Sequence, residues 1–181
     1  NIEKHYDVVC CGRLVANKRF GNVVRAVAQM PGVKLLIIGD GPKRGSLQRL
    51  SQRLGAAGRV TIAGWLPENN DVYRAMQSAK VFVMNSSSEG GPRAALEAMA
   101  LGLPVVATAV GVIPDILSEG ATRNGYLTSG TPEDLAEKIS KLLEYPSLRE
   151  RLGQAACKSV EQFERTKLIG EYAQFLQSFA I

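Results

Sequence analysis

A chain of 181 residues that is 45% apolar and 22% charged has the size and composition of one compact α/β domain, which excludes disordered and fibrous classes. Its 18 glycines fall, apart from the Gly90-Gly91 pair, singly between apolar runs with no repeat, which excludes a solenoid. The formal charge of +5 is uneven, because residues 1–60 carry eleven Lys and Arg against only Glu3, Asp7 and Asp40, whereas the remainder is net acidic. The first predicted element, Asp7 to Cys11, is a short apolar strand ending at Gly12. It holds Cys10 and Cys11, which with Cys157 form neither a metal-ligand spacing nor a disulfide framework. Buried, inert thiols and a reducing, cytoplasmic compartment are therefore expected. Phe20, Val23, Val24 and Val27 recur at helical spacing within 20–30. Val33 to Ile38 is a continuous apolar run closed by Gly39-Asp40-Gly41-Pro42, and an amphipathic helix bearing Leu47, Leu50 and Leu54 follows.

The unit repeats: Arg59 to Ala63 reads as a strand, Asn70 to Ser78 as a helix, and Val81 to Met84 as a strand. Pro92 to Leu101 reads as a helix with proline in its first turn, and Pro104 to Thr108 as a strand. Glu97, Gly102 and Pro104 divide the weakly polar stretch 94–114, so it is not read as a membrane span, and no signal peptide is recognised. Gly125 to Leu127 is a brief last strand. Thr131-Pro132-Glu133-Asp134 is a helix start with a capping residue, an early proline and acids in the first turn. Two further helical segments follow Tyr145-Pro146, the second in a tail over 161–181. Apolar strands alternating with helices imply a parallel sheet covered on both faces, with ligands at the carboxyl ends of the strands.

The loops at those ends carry the unusual residues. Glu89 precedes a helix in a glycine loop, and Glu97 lies eight positions on, about one turn inside that helix on a flank of Ala, Leu and Met. An acid there requires a partner or a polar ligand. Gly90 and Gly91 allow close approach of a ligand to the backbone, and the helix start offers N–H groups to an anion. The basic half contains only Tyr6 and Phe20 as aromatics, so no nucleic-acid partner is expected. A phosphate-bearing small ligand or an anionic membrane surface fits it better.

The run from Ser86 to Ala107 resembles the E-x7-E motif and the Glu-Ala-Met-Ala-x-Gly-x-Pro-Val segment of the large retaining GT-B glycosyltransferase family, which includes glycogen and sucrose synthases and polysaccharide mannosyltransferases. Gly12-Arg13-Leu14 with Lys18 resembles that family's phosphate loop, and Gly39-Asp40-Gly41-Pro42 its Gly-Asp-Gly-Pro turn. Gly64-Trp65-Leu66 resembles its base-binding loop, and Gly111-Val112-Ile113-Pro114-Asp115 stands at its Gly-Gly-x-Pro-Glu. Asn85, Gly91, Arg93 and Asp115 depart from the pattern around the donor sugar.

The resemblance implies a Rossmann-like three-layer α/β domain with about six parallel strands, one half of a GT-B fold, spanning 1–181. The N-terminal acceptor domain that the resemblance implies is expected to lie outside this sequence. It implies a UDP-, GDP- or ADP-sugar as substrate, a saccharide or lipid-linked acceptor, retention of configuration, and no cofactor or metal. Glu89 is expected to hold donor-sugar hydroxyls, Glu97 the ribose hydroxyls, and Arg13 with Lys18 the diphosphate. Backbone at Gly12, Gly41, Leu66, Gly90, Gly91 and Arg93 completes the expected site. Trp65 is open between a core aromatic and a wall of the base pocket, and Asp40 is expected to form a turn. Rival readings are a non-catalytic nucleotide-sugar module and an epimerase-like domain.

Overall fold

The computed structural model describes residues 2–117 and 124–161. Six parallel strands, β1 (Tyr6–Cys11), β2 (Leu35–Ile38), β3 (Val60–Gly64), β4 (Ala79–Met84), β5 (Val105–Thr108) and β6 (Gly125–Thr128), form one sheet in the order β3-β2-β1-β4-β5-β6. The chain starts in the middle, winds outward to β3, then returns to β4 beside β1. That reversal opens a crevice at the carboxyl ends of β1 and β4, the place where doubly wound sheets bind ligands.

The central residues of the inner strands are apolar because both faces are covered, whereas the edge strand β3 alternates, with Thr61 and Ala63 exposed. Val8, Cys10, Leu35, Ile37, Val81 and Val83 pack on one side against α1 (Phe20–Ala28), α2 (Arg44–Arg53) and α6 (Pro132–Glu144). Their neighbours Val9, Leu36, Ile38, Phe82 and Met84 pack on the other against α4 (Arg93–Ala100), α5 (Ile113–Ile116), α7 (Pro146–Val160) and Met76 of α3 (Asn69–Gln77). Alternation of side chains along each strand thus builds two cores around a three-layer domain.

Several boundaries differ from the sequence reading for identifiable reasons. β2 begins at Leu35 rather than Val33, because Gly32 turns the chain at φ 80° and the Val33 N–H donates to the Met30 carbonyl. α1 stops at Ala28, where Gln29 and Met30 tighten the end by donating to Ala26 and Val27. Pro92 lies before α4 instead of inside it, since its ψ of 54° is not helical. Two 3-10 turns, Ala16–Lys18 and Ala57–Arg59, and the one-turn α5 were not foreseen. The expected cap of α6 is present, with the Thr131 side chain accepting from the Asp134 N–H at 3.3 Å. The first of the two helical segments after Tyr145 is α7, and the tail beyond 161 lies outside the described residues. No helix among the described residues is long and apolar enough to cross a membrane.

Candidate functional site

Three loops at the carboxyl edge are stitched together by backbone alone. Gly12 N–H donates to Ile38 O, Leu14 N–H to Asp40 O, and Gly39 N–H to Gly64 O, at 2.7–3.0 Å. Glycine is required at two of these positions, because a Cβ would lie 2.1 Å from Gly12 O at Gly39 and 2.8 Å from Leu14 O at Gly41. Both also hold positive φ, 132° and 154°. Asp40 forms the turn, as expected. Its Oδ1 accepts from the Gly41 N–H at 2.7 Å and its Oδ2 from Arg44 at 2.8 Å.

Beside this lattice lies a cleft of about 590 Å³ lined by Cys11, Gly12, Arg13, Trp65, Leu66 and Val72, among others. Trp65 is 72% exposed, which settles it as a cleft wall and not a core aromatic. Leu66 is half-buried beside it. Arg13 is exposed at the mouth and forms no ion pair among the described residues. Burial pushes the Cys11 thiol up to about 11, with the Glu97 charge adding to the rise and Lys18 opposing it. Burial raises the Cys10 thiol as well, so both cysteines stay protonated near neutral pH.

The β1 loop and the β4 loop meet at Lys18 and Glu89. Lys18 runs beneath Gly12, and its Nζ donates to Glu89 Oε1 at 2.6 Å. The pair is secluded, with side chains 23% and 9% exposed. Ser86 donates to the same Oε1 at 2.5 Å, while Thr108 Oγ1 donates to the Ser86 carbonyl at 2.6 Å. The Ser87 N–H donates to Asn17 O at 2.7 Å, closing the two loops on each other. Gly111 abuts the Glu89 carbonyl, where a Cβ would come within 2.7 Å.

Gly90 and Gly91 are exposed, and a Cβ at either meets nothing within 4 Å, so their backbone is open to a ligand. The Arg93 N–H is already bonded to Gly91 O at 2.9 Å. Its guanidinium, 83% exposed, stands 3.3 Å from Glu97. Such an exposed i,i+4 contact contributes little. Glu97 keeps 26% of its side chain accessible and so remains available to a polar ligand. The structure therefore gathers Gly12, Arg13 and Leu66 around the cleft, leaves Gly41 outside its lining and packed on the Leu14 backbone, and places Lys18 with Glu89 at the crevice and Gly90, Gly91, Arg93 and Glu97 at the start of α4.

Sequence reasoning missed Ser86, Thr108 and Asn17, which orient Glu89 and the loop. A hydroxyl at a strand's carboxyl end was the available signal. Asn85, read from sequence only as a departure from the family pattern, is buried at the end of β4, and its Nδ2 donates to Arg19 O at 3.4 Å and Gly130 O at 3.2 Å. Among the described residues no three His, Cys, Asp or Glu side chains gather as a metal site.

The family model described as "Glycosyl transferases group 1" matches residues 1–159. The chain belongs to this family. It is 36% identical over 173 residues to the lipopolysaccharide core biosynthesis glycosyltransferase LpsE of Rhizobium meliloti, covering 94% of this chain and 49% of LpsE. Anabaena HepE in complex with UDP-glucose superimposes with a TM-score of 0.85 at 26% identity, covering 97% of this chain and 50% of HepE. Sucrose-phosphate synthase from Thermosynechococcus elongatus gives 0.83 at 27% identity, covering 97% and 46%. The group 1 chain thus spans about half the length of these relatives, and its fold is that of the C-terminal domain of a GT-B glycosyltransferase.

Proposed function

We propose that this domain binds a nucleoside-diphosphate sugar, a UDP-sugar foremost, for metal-independent transfer with retention to a saccharide or lipid-linked acceptor held by a companion domain. The observation that carries the reading is the secluded Lys18–Glu89 pair, together with an Arg13 that forms no ion pair among the described residues, at the carboxyl ends of β1 and β4. The UDP-glucose held by HepE favours uridine as the base.

In this reading the base lies against Trp65 and Leu66, and Arg13 receives the diphosphate. Glu89 exchanges its bond with Lys18 for donor-sugar hydroxyls, and Lys18 turns to the phosphate. Glu97 accepts from the ribose hydroxyls. As the sugar–phosphate bond breaks, negative charge grows on the departing diphosphate, and cations already placed there stabilise it with little reorganisation. Glu89 is oriented beforehand by Ser86, which limits the entropy lost when the sugar binds.

Calorimetric titration with UDP, GDP and ADP tests the donor assignment, UDP being expected to bind tightest. No measurable affinity for any of the three rejects it. Retention is checked on the longer protein by the anomeric configuration of its product, and an inverted linkage overturns that part.

A further inference from the structure

On the outer face, α1 and α2 pack side by side and leave a groove of about 320 Å³. Leu47 and Leu50 contribute to its floor, while Arg19, Arg25, Lys43 and Arg53 line it without any acid. All four cations are exposed, and none forms an ion pair among the described residues. Their isolation is written into the sequence, since residues 8–39 and 41–67 contain no Asp or Glu. Elsewhere the chain does pair its cations, as in Lys80 with Asp7 and Lys138 with Asp134. Four unneutralised charges around one groove repel one another, a cost that an anionic partner removes.

A second observation concerns the backbone that carries one of them. Arg19 sits at φ 47°, the left-handed region that a long side chain rarely occupies. The conformation is held by its N–H donating to Ala16 O at 3.1 Å and by the Asn85 bond to its carbonyl. Strain retained by surrounding bonds is a mark of a functional position. The groove shares no lining residue with the nucleotide cleft.

We propose that this groove docks the domain on an anionic phospholipid membrane, with headgroup phosphates meeting Arg19, Arg25, Lys43 and Arg53. An anionic membrane presents many phosphates at once and so matches four exposed cations, whereas one free phosphate neutralises only part of them. A single-stranded nucleic acid would call for stacking aromatics, and Phe20, the one aromatic lining the groove, is only 6% exposed. The docking does not depend on the donor assignment.

The test is sedimentation with vesicles of phosphatidylcholine alone and of phosphatidylcholine with phosphatidylglycerol. The chain is compared with the variant Arg25→Glu/Arg53→Glu and with Arg74→Glu/Lys158→Glu, which changes net charge equally at exposed positions outside the groove. Binding is expected only to the anionic vesicles, to fall with added salt, and to weaken at least about tenfold in the groove variant. The control variant is expected to retain binding, and UDP affinity to stay unchanged in both variants. Failure of the unaltered chain to bind anionic vesicles overturns the proposal, as does an equal loss in the control, which would mean attraction by net charge. Titration with inorganic phosphate gives the remaining arm. Phosphate binding lost in the groove variant, without vesicle binding by the unaltered chain, would make this a soluble-phosphate site and overturn the membrane assignment.

Discussion

The Lys18 amine and the Glu89 carboxylate, 71 residues apart in sequence, are joined at 2.6 Å across the crevice between β1 and β4. Each is the other's partner in the absence of a donor, so the group proposed to hold phosphate is restrained by the group proposed to hold sugar. Glu89→Gln releases Lys18. Affinity for UDP is expected to rise a few-fold or hold, while the advantage of UDP-sugar over UDP is lost. Calorimetry with both ligands checks this, and a fall in UDP affinity would show that the two residues do not compete.

Arg13 and Lys18 are expected to behave differently on replacement. Arg13→Ala removes an exposed, unpaired cation, so the melting temperature should hold while UDP affinity falls about ten- to a hundredfold, the worth of a charge-assisted phosphate contact. Uridine affinity should hardly change. Lys18→Ala weakens UDP binding as well, and it also leaves the 9%-exposed Glu89 without its cation. Its cost in stability is therefore expected at about 1–3 kcal/mol. Denaturant unfolding of both variants separates the two cases, and equal stability would contradict the pairing.

Gly39→Ala forces a Cβ to 2.1 Å from Gly12 O in a backbone at φ 132°. Both the clash and the dihedral must be relieved by separating the loops after β1 and β2, with an expected loss of about 2–4 kcal/mol and of UDP binding. Gly55→Ala is the control, having a positive φ of 66° but nothing within 4 Å of the added Cβ. Only the left-handed cost of about 1–2 kcal/mol remains there. Equal losses in the two variants would show that the stitched loops do not need the space.

Asp134 supplies a pH dependence at the start of α6. Burial pushes its carboxyl up, but hydrogen bonds from Lys138, Thr128 and the Ser129 N–H outweigh this and hold it at about 2, below the ordinary 3.8. The folded state therefore favours the carboxylate. This contribution is complete above the unfolded pKa and is lost as pH falls from about 4 through about 2. Asp134→Asn should lower the melting temperature at pH 7, and the gap between variant and parent should close toward pH 2. A gap that stays constant across that range would exclude the linkage.

Much of this chain was legible from local pattern. The inner strands followed from short apolar runs, because a strand covered on both faces needs no alternation, while the edge strand β3 alternates. The order of layers then followed from strands alternating with helices. The Glu89-to-Glu97 spacing and the glycine turns carried the resemblance to GT-B glycosyltransferases, and the match over residues 1–159 bears out the family. What tertiary structure alone decided are relationships between distant positions. That Lys18 meets Glu89, that Ser86 and Thr108 orient it, that Trp65 stands exposed, and that Arg25 of one helix shares a groove with Arg53 of the next depend on which strands become neighbours and which way each loop turns. Periodicity reports how a residue faces its own element, whereas a salt bridge or a groove is formed by two elements. Their mutual placement is set by the packing of the whole sheet.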